Sequence, residues 1–464
     1  MFLSRRALLL GAATAALPGA LAKRRPNIIL IMTDDQGYGD VARHGNPIIQ
    51  TPHLDRLHDD SVRLLDFHVS PTCAPTRSSL LTGRHEFKNG ITHTILERER
   101  MSLKSTTLAQ VLKSAGYATG IFGKWHLGDA EPYQPQKRGF DEVFIHGCGG
   151  IGQKYPGTCA DAPGNSYFNP TLMHNGKFEK TQGYCTDVFF RQAMSWIGTQ
   201  RKPFFAYITP NAPHAPLDCP AEYEAKYTGQ VPVPTAKYFG MVTNVDDNLG
   251  RLLATLKEKK LERDTLLIFM NDNGGTGGVK VFNDGMHGQK GTPYLGGTRA
   301  MGFWHWPGTL KPAGVKALAA HVDLLPTLAE IAGAATPAGV KLDGRSLVPV
   351  LENPSAAWAD RYLFTHVGRW EKGQAAASKY AKCRVRNTRY SMVNMGKAWE
   401  LYDLTVDRGE KSDVAPQHPD VVKEMSAVYD RWWDEIFPLL ENENAVPPAV
   451  APYFELYEKQ FGTQ

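Results

Sequence analysis

The sequence predicts an α/β sandwich, a large mostly parallel sheet between helices, followed by a smaller C-terminal α+β unit with an antiparallel sheet. Three observations predict it. Four short apolar runs each end directly in polar, reactive side chains. Helical patterns lie between those runs. Beyond Pro354 the pattern changes to short alternating segments and one helix.

The first run, Asn27-Ile28-Ile29-Leu30-Ile31-Met32, leads into Thr33-Asp34-Asp35. The second, Ala118-Thr119-Gly120-Ile121-Phe122-Gly123, leads into Lys124-Trp125-His126. The third, Phe204-Phe205-Ala206-Tyr207-Ile208, leads to Asn211 and Pro213-His214. The fourth, Thr265-Leu266-Leu267-Ile268-Phe269-Met270, leads into Asn271-Asp272-Asn273-Gly274. Continuous apolar runs of this length suit strands buried on both faces, as parallel strands are. Between them, Leu108, Val111, Leu112 and Ala115 mark a helix over 103–115. Val242, Val245, Leu249, Leu252, Leu253 and Leu256 mark another over 238–259. Strand and helix in alternation give an α/β layer fold, whose ligands bind beyond the carboxyl ends of the strands. Taken singly, an Asp after a strand is a turn or cap residue, and a His or Lys there is a solvated loop residue. Four such clusters after four buried strands point to one site.

In the last part, 362–367, 382–386 and 390–394 alternate as antiparallel strands do, and 419–433 reads as a helix. The polar, Ala-rich stretch 354–361 serves as a linker. The division expected is therefore an export signal over 1–22, a catalytic domain over 23–355 and a smaller domain over 356–464.

Composition is that of a globular protein, with 42% hydrophobic and 21% charged residues, and 464 residues allow two or three domains. Net charge is +5, or +3 without Arg5 and Arg6. No block of Lys and Arg stands out, so a nucleic-acid partner has no support. The chain starts with Ser4-Arg5-Arg6, an apolar Ala-rich run and Ala20-Leu21-Ala22. This is the layout of a cleaved signal, and the paired arginines match twin-arginine export. The run is shorter than the span of about 20 residues that a membrane anchor needs. The periplasm or the exterior of a bacterial cell is the expected destination. Six cysteines lack zinc spacings. Oxidising export allows disulfides, and Cys148, Cys159 and Cys185 share one loop-rich region in which pairing is available.

The most specific motif is Cys73-Ala74-Pro75-Thr76-Arg77, continued by Thr82-Gly83-Arg84. Pro75 suits the first turn of a helix. Cys73 is expected just before that turn, at the positive end that favours an anion. A buried structural thiol is the ordinary alternative, but Pro71 and Pro75 flank this cysteine in a polar segment.

These residues resemble the type I, formylglycine-dependent sulfatases of the alkaline-phosphatase-like superfamily, whose signature is C-x-P-x-R with a following T-G-R. The resemblance continues through Asp34-Asp35, Gly123-Lys124-Trp125-His126-Leu127-Gly128, Pro213-His214-Ala215-Pro216, Asn271-Asp272-Asn273-Gly274, Gly288-Gln289-Lys290-Gly291 and Glu400-Leu401-Tyr402-Asp403-Leu404. It spans nearly all of the chain beyond Pro26 and implies the alkaline-phosphatase-like sandwich with its smaller C-terminal domain. It also implies hydrolysis of sulfate monoesters, of carbohydrates in nature and of aryl sulfates as test substrates. Cys73 would be oxidised to formylglycine by a formylglycine-generating enzyme before export. One hydroxyl of the hydrated aldehyde attacks sulfur, giving a covalent sulfo-enzyme, and the second expels sulfate.

The resemblance further implies a calcium ion held by Asp34, Asp35, Asp272 and Asn273 with the modified Cys73. Such oxygen donors suit calcium, with magnesium as the second choice. It assigns Arg77 and Lys124 to steadying the hydrate and His126 to taking its proton. His214 and Lys290, with Lys124, hold the sulfate and protonate the leaving group. His146, after Arg138-Gly139-Phe140-Asp141, is a further substrate-binding candidate on a looser match. The partners expected are a sulfated small molecule or glycan, the modifying enzyme and the export machinery. Two other readings remain at this level: a phosphonate or phosphate ester hydrolase of the same superfamily, and a binding protein that holds sulfated glycans without turnover.

Overall fold

The computed structural model describes residues 20–153, 155 and 157–462. Residues 1–19 of the expected export signal lie outside it. Ten strands form one sheet: β1 Asn27–Thr33, β2 Val62–His68, β3 Ala118–Lys124, β4 Glu142–His146, β5 Thr171–His174, β6 Lys177–Lys180, β7 Phe204–Thr209, β8 Thr265–Asn271, β9 Gly302–His305 and β10 Ala313–Ala320. Their order is β10-β2-β9-β8-β1-β7-β3-β4-β5-β6. The centre, β8-β1-β7-β3-β4, is parallel throughout. β9 runs antiparallel between β2 and β8, and β5 and β6 add an antiparallel edge.

The four apolar runs are β1, β3, β7 and β8, four of the five central strands, each one residue longer than expected. The added residue is the first polar one, Thr33, Lys124, Thr209 or Asn271. Side chains alternate across a strand, so a strand apolar at every position serves two cores. In β1, Ile28, Leu30 and Met32 join one core with Leu80, Leu112 and Leu328, while Ile29 and Ile31 join the other with Phe189, Val245 and Leu249. Helix Val233–Glu258 supplies much of the second core and starts earlier than the apolar spacing suggests, with a proline in its first turn. Helix Leu108–Ser114 starts later than expected. Thr107 caps it in a reciprocal box with Gln110, which excludes Leu103 from the helix.

The smaller sheet has the order β11 Leu363–His366, β12 Ala381–Arg386, β13 Tyr390–Met395 and β14 Trp399–Asp403, all antiparallel. Helix Pro419–Ile436 lays Met425, Tyr429, Trp432, Trp433 and Ile436 onto Cys383, Val385, Met392 and Leu401. These positions fall on one face of a 3.6-residue period. The last helix, Pro452–Phe461, returns to the large sheet, where Gln460 exchanges two hydrogen bonds with the backbone of Phe178. All six cysteines are buried free thiols, and no disulfide joins Cys148, Cys159 and Cys185. Cys148 Sγ donates to Gly150 O and Cys185 Sγ to Asn211 Oδ1, so each is held within its own local structure.

Candidate active site

Register brings the polar clusters together. Thr33 at the end of β1 is paired with Asn271 at the end of β8, and Asp272 N donates to Thr33 O. Asp34-Asp35 and Asp272-Asn273 therefore leave the sheet side by side. Lys124, the last residue of β3, arrives from beyond β7. Cys73 is the first residue of helix Cys73–Thr82, one position inside the place expected from Pro75, because Thr72 takes the capping position.

Three cations face three carboxylates. Lys124 Nζ donates to Asp34 Oδ2 at 2.6 Å, Arg77 Nη2 to Asp272 Oδ2 at 3.0 Å and Lys290 Nζ to Asp35 Oδ2 at 2.7 Å. Arg77 also donates to Lys124 O at 3.0 Å, tying the motif helix to β3. His214 Nε2 lies 3.8 Å from Asp35 Oδ2. His126 Nδ1 is 3.4 Å from Cys73 Sγ, and its Nε2 is 2.9 Å from Thr94 O. A carbonyl only accepts, so the His126 proton sits on Nε2 and Nδ1 presents a lone pair to residue 73. Asp35 and His126 both take a left-handed backbone, φ 69 and 61. Strain of this kind gathers at functional sites.

Electrostatics follow from burial and these pairs. Burial raises the Asp34 carboxyl against the pull of Lys124, and burial together with the neighbouring Asp34 raises Asp272. Burial also acts to raise Asp35, but Lys290, His214 and the Asn273 amide prevail and hold it well below the usual carboxylate range. Burial and the charge of Lys124 push His126 far below an ordinary imidazole, leaving it neutral. Against burial, Lys124 and Lys290 lower the Cys73 thiol. A nucleophile at position 73 thus meets positive charge and an acceptor nitrogen.

The same oxygens offer a place for a cation. Asp34 Oδ1 and Asn273 Oδ1 are buried without a hydrogen-bond partner among the described residues, although buried polar atoms are almost always satisfied. Ligand atoms of Asp34, Cys73 and Asp272 lie within 4.8 Å of one another, as do those of Asp34, Asp35 and His214. Asp34, Asp35, Asp272 and Asn273 offer hard oxygens, which fits calcium or magnesium.

A family model described as Sulfatase matches residues 26–334, two thirds of the chain and all of these clusters. The chain belongs to the sulfatase family. Its C-terminal part, residues 297–432, matches a second model, N-sulphoglucosamine sulphohydrolase, C-terminal. Human arylsulfatase A is 34% identical to this sulfatase over 371 residues, covering 75% of this chain and 71% of the relative. Arylsulfatase J of Mus musculus is 29% identical over 459 residues, covering 88% and 75%. N-acetylgalactosamine-6-sulfatase of Canis lupus familiaris is 30% identical over 396 residues, covering 78% and 72%. Among solved structures, Ps i-CgsB in complex with k-i-k-neocarrahexaose superposes with a TM-score of 0.79 at 28% identity, covering 94% of this chain and 97% of that one. A protein in complex with its substrate D-glucosamine-2-N,6-O-disulfate shares the fold at 20% identity and a TM-score of 0.69, covering 91% and 100%. The sulfatase is thus a sulfuric ester hydrolase.

The structure gathers Asp34, Asp35, Cys73, Arg77, Lys124, His126, His214, Asp272, Asn273 and Lys290 in one place. His146 is close in the fold, since it pairs with Lys124 in register. Its ring, however, faces Asp161, with Nδ1 3.8 Å from Oδ2, and is fully buried. Some supporting residues carry no sequence signal. Thr94 acts through its carbonyl, which any residue would supply. Tyr238 OH donates within 2.7 Å of Asp35 O and 2.6 Å of Asp40 Oδ2, and Tyr167 OH lies 2.9 and 2.6 Å from the carbonyls of Asn211 and His214. Two tyrosines thereby brace the loops that carry Asp35 and His214.

Proposed function

We propose that this sulfatase cleaves sulfate monoesters of carbohydrates to alcohol and inorganic sulfate with a formylglycine made from Cys73. The observation that carries the reading is the surroundings of residue 73. It opens a helix whose positive end favours an anion, next to Lys124 and Lys290 and 3.4 Å from the lone pair of His126. The thiol Sγ stands where a hydrate oxygen of the aldehyde would stand. That hydrate supplies a nucleophilic hydroxyl and a second hydroxyl whose deprotonation frees sulfate.

The chain's own residues do the rest. His126 Nδ1 accepts the proton of the second hydroxyl, with Nε2–H anchored on Thr94 O. Arg77 and Lys124 hold the residue-73 group and compensate developing negative charge. Lys290 and His214 are the most accessible members of the set. They are placed to bind sulfate oxygens and to give a proton to the departing alcohol. Asp34, Asp35, Asp272 and Asn273, with the residue-73 oxygen, would hold a calcium ion, which when bound polarises the sulfate and acidifies the nucleophile. The three cation–carboxylate pairs neutralise each other. A divalent ion therefore balances a monoanionic ester and an ionised hydroxyl.

A glycan substrate is supported by the oligosaccharide and sulfated-sugar complexes of the structural relatives. Export to the periplasm or beyond is supported by the layout of residues 1–22. No helix among the described residues is long and apolar enough to cross a membrane. The division proposed is a catalytic unit over 23–355 and a smaller one over 356–464. The test is the mass of the peptide containing residue 73, from a host with the modifying enzyme, with parallel assays on sulfate and phosphate esters. An aldehyde at 73 and preference for sulfate esters support the reading. A persistent thiol, or preference for phosphate esters, overturns it. Removal of the ion with a chelator should abolish turnover and lower Tm, and added calcium should restore both.

A further inference from the structure

Beside the catalytic cluster lies a second group of metal-binding side chains that the sulfatase reaction leaves unused. β4 ends on His146, whose ring has no exposed surface and whose two nitrogens both lack a hydrogen-bond partner among the described residues. A neutral imidazole normally satisfies at least its N–H when buried. Cys148 follows two residues later, a fully buried thiol. Asp161 comes in from the returning loop, 2% exposed, with Oδ2 3.8 Å from His146 Nδ1. One ligand atom from each of the three lies within 4.8 Å of the others.

We propose that His146, Cys148 and Asp161 form a second metal site, for a zinc-class transition-metal ion distinct from the catalytic cation. The donor set decides the class. Imidazole nitrogen and thiolate sulfur favour zinc and its neighbours, whereas calcium and magnesium take oxygen. Tetrahedral zinc with bonds of about 2.0–2.3 Å has ligand atoms roughly 3.3–3.8 Å apart. The upper end of that range belongs to a sulfur pair and the lower to a nitrogen–oxygen pair, so the 3.8 Å between His146 and Asp161 closes by about 0.4 Å on binding, and the sulfur, within 4.8 Å, by up to about 1.3 Å. Asp161 is oriented by its surroundings, as ligating carboxylates are. Gly152 N donates to Oδ2 at 3.1 Å, and Ala162 N and Asn165 Nδ2 donate to Oδ1 at 2.9 and 3.0 Å. Cys148 binds as thiolate, so its hydrogen bond to Gly150 O is given up and its proton leaves to solvent for each ion bound. A water completes the fourth position.

The site would brace the catalytic strand. Trp125 N and His126 N donate to His146 O and Gly147 O, both at 3.1 Å, so a metal on His146 and Cys148 fixes the backbone from which His126 hangs. His146 then acts as a metal ligand and leaves the substrate-binding set.

The test uses the full chain carrying Cys73→Ala, which removes the catalytic thiol, stripped with chelator and titrated with cobalt(II) as the probe. Expected is a thiolate-to-cobalt charge-transfer band with the visible absorption of a tetrahedral ion. It should saturate at one cobalt per chain, be displaced by zinc and be untouched by excess calcium. Adding Cys148→Ala, or the near-isosteric Cys148→Ser should the alanine variant fail to fold, abolishes the band, while adding Cys219→Ala preserves it. Absence of the band in folded Cys73→Ala protein overturns the proposal, as does its survival in a folded Cys148 variant. Neither outcome bears on formylglycine chemistry, which is read separately from the mass at residue 73.

Discussion

His126 and residue 73 set the scale at which the chemistry is decided. With Nε2 committed to Thr94 O and Nδ1 toward Cys73, His126 can only accept at residue 73. Replacement by alanine is expected to lower kcat by about 10²- to 10⁴-fold, the usual worth of a positioned base. Because His126 acts after the alcohol has left, the sulfo-enzyme should accumulate, so KM should fall together with kcat while kcat/KM changes little. Steady-state kinetics on an aryl sulfate measures both. Cys73→Ser is expected to take up one sulfo group and stall, since a serine ester has no second hydroxyl to expel it. Intact mass after incubation with substrate should rise by one sulfo group per chain, and an unchanged mass counts against nucleophilic attack from this position. At this scale the sequence was legible wherever a side chain does the work. Asp34, Lys124, His214 and Lys290 announce themselves by type and motif. Thr94 does not, because its carbonyl is common to every residue. Nor do Tyr238 and Tyr167, whose role rests on long-range proximity alone.

Elements read well where one physical constraint dominates. β1, β3, β7 and β8 are buried on both faces, so their apolar runs are unbroken and their polar ends mark the site. β2 has mixed burial and carries Arg63 and Asp66, which hides it. β9 is four residues long and draws its stability from neighbours on both sides. The β5–β6 hairpin was available, since Asn175-Gly176 with φ 48 and 90 is a favoured two-residue turn. One position in β3 tests how tightly the central strands are set. Gly123 has φ 129, and a Cβ there would sit 2.0 Å from Thr209 O on β7. Gly123→Ala must push β3 from β7 next to Lys124. A loss of about 1–3 kcal/mol is expected, as for overpacking in a tight core. Chemical denaturation would measure it, and a smaller loss would mean that the strand pair yields.

At the scale of the whole molecule, the two sheets are clasped through β2 and β12. Arg386 Nη1 and Nη2 donate to Asp66 at 3.0 and 2.8 Å, and His68 Nε2 lies 2.8 Å from the same carboxylate. Sequence separation of 320 residues makes this clasp invisible to local reading. Burial acts to raise Asp66, but Arg386 and His68 hold it well below the usual carboxylate range. Burial and then Arg386 push His68 down to about 3. Both shifts have the same sign for stability. The unfolded chain binds a proton at His68 below about pH 6.5 and at Asp66 below about pH 4, while the folded clasp binds neither until the pH is lower. The clasp therefore contributes fully near neutral pH. Its contribution falls from about pH 6.5 toward 3 through His68, and below about pH 4 through Asp66. Arg386→Met leaves Asp66, 28% exposed, beside a neutral partner and should cost about 1–3 kcal/mol at pH 7, less than for a fully buried pair because water reaches the carboxylate. With the arginine gone, His68 titrates closer to its ordinary value. The variant should then lose less stability than the parent between pH 6.5 and 4. Urea denaturation of both proteins across that range measures the difference, and parallel curves would mean that the sheets are held together by packing and not by this clasp.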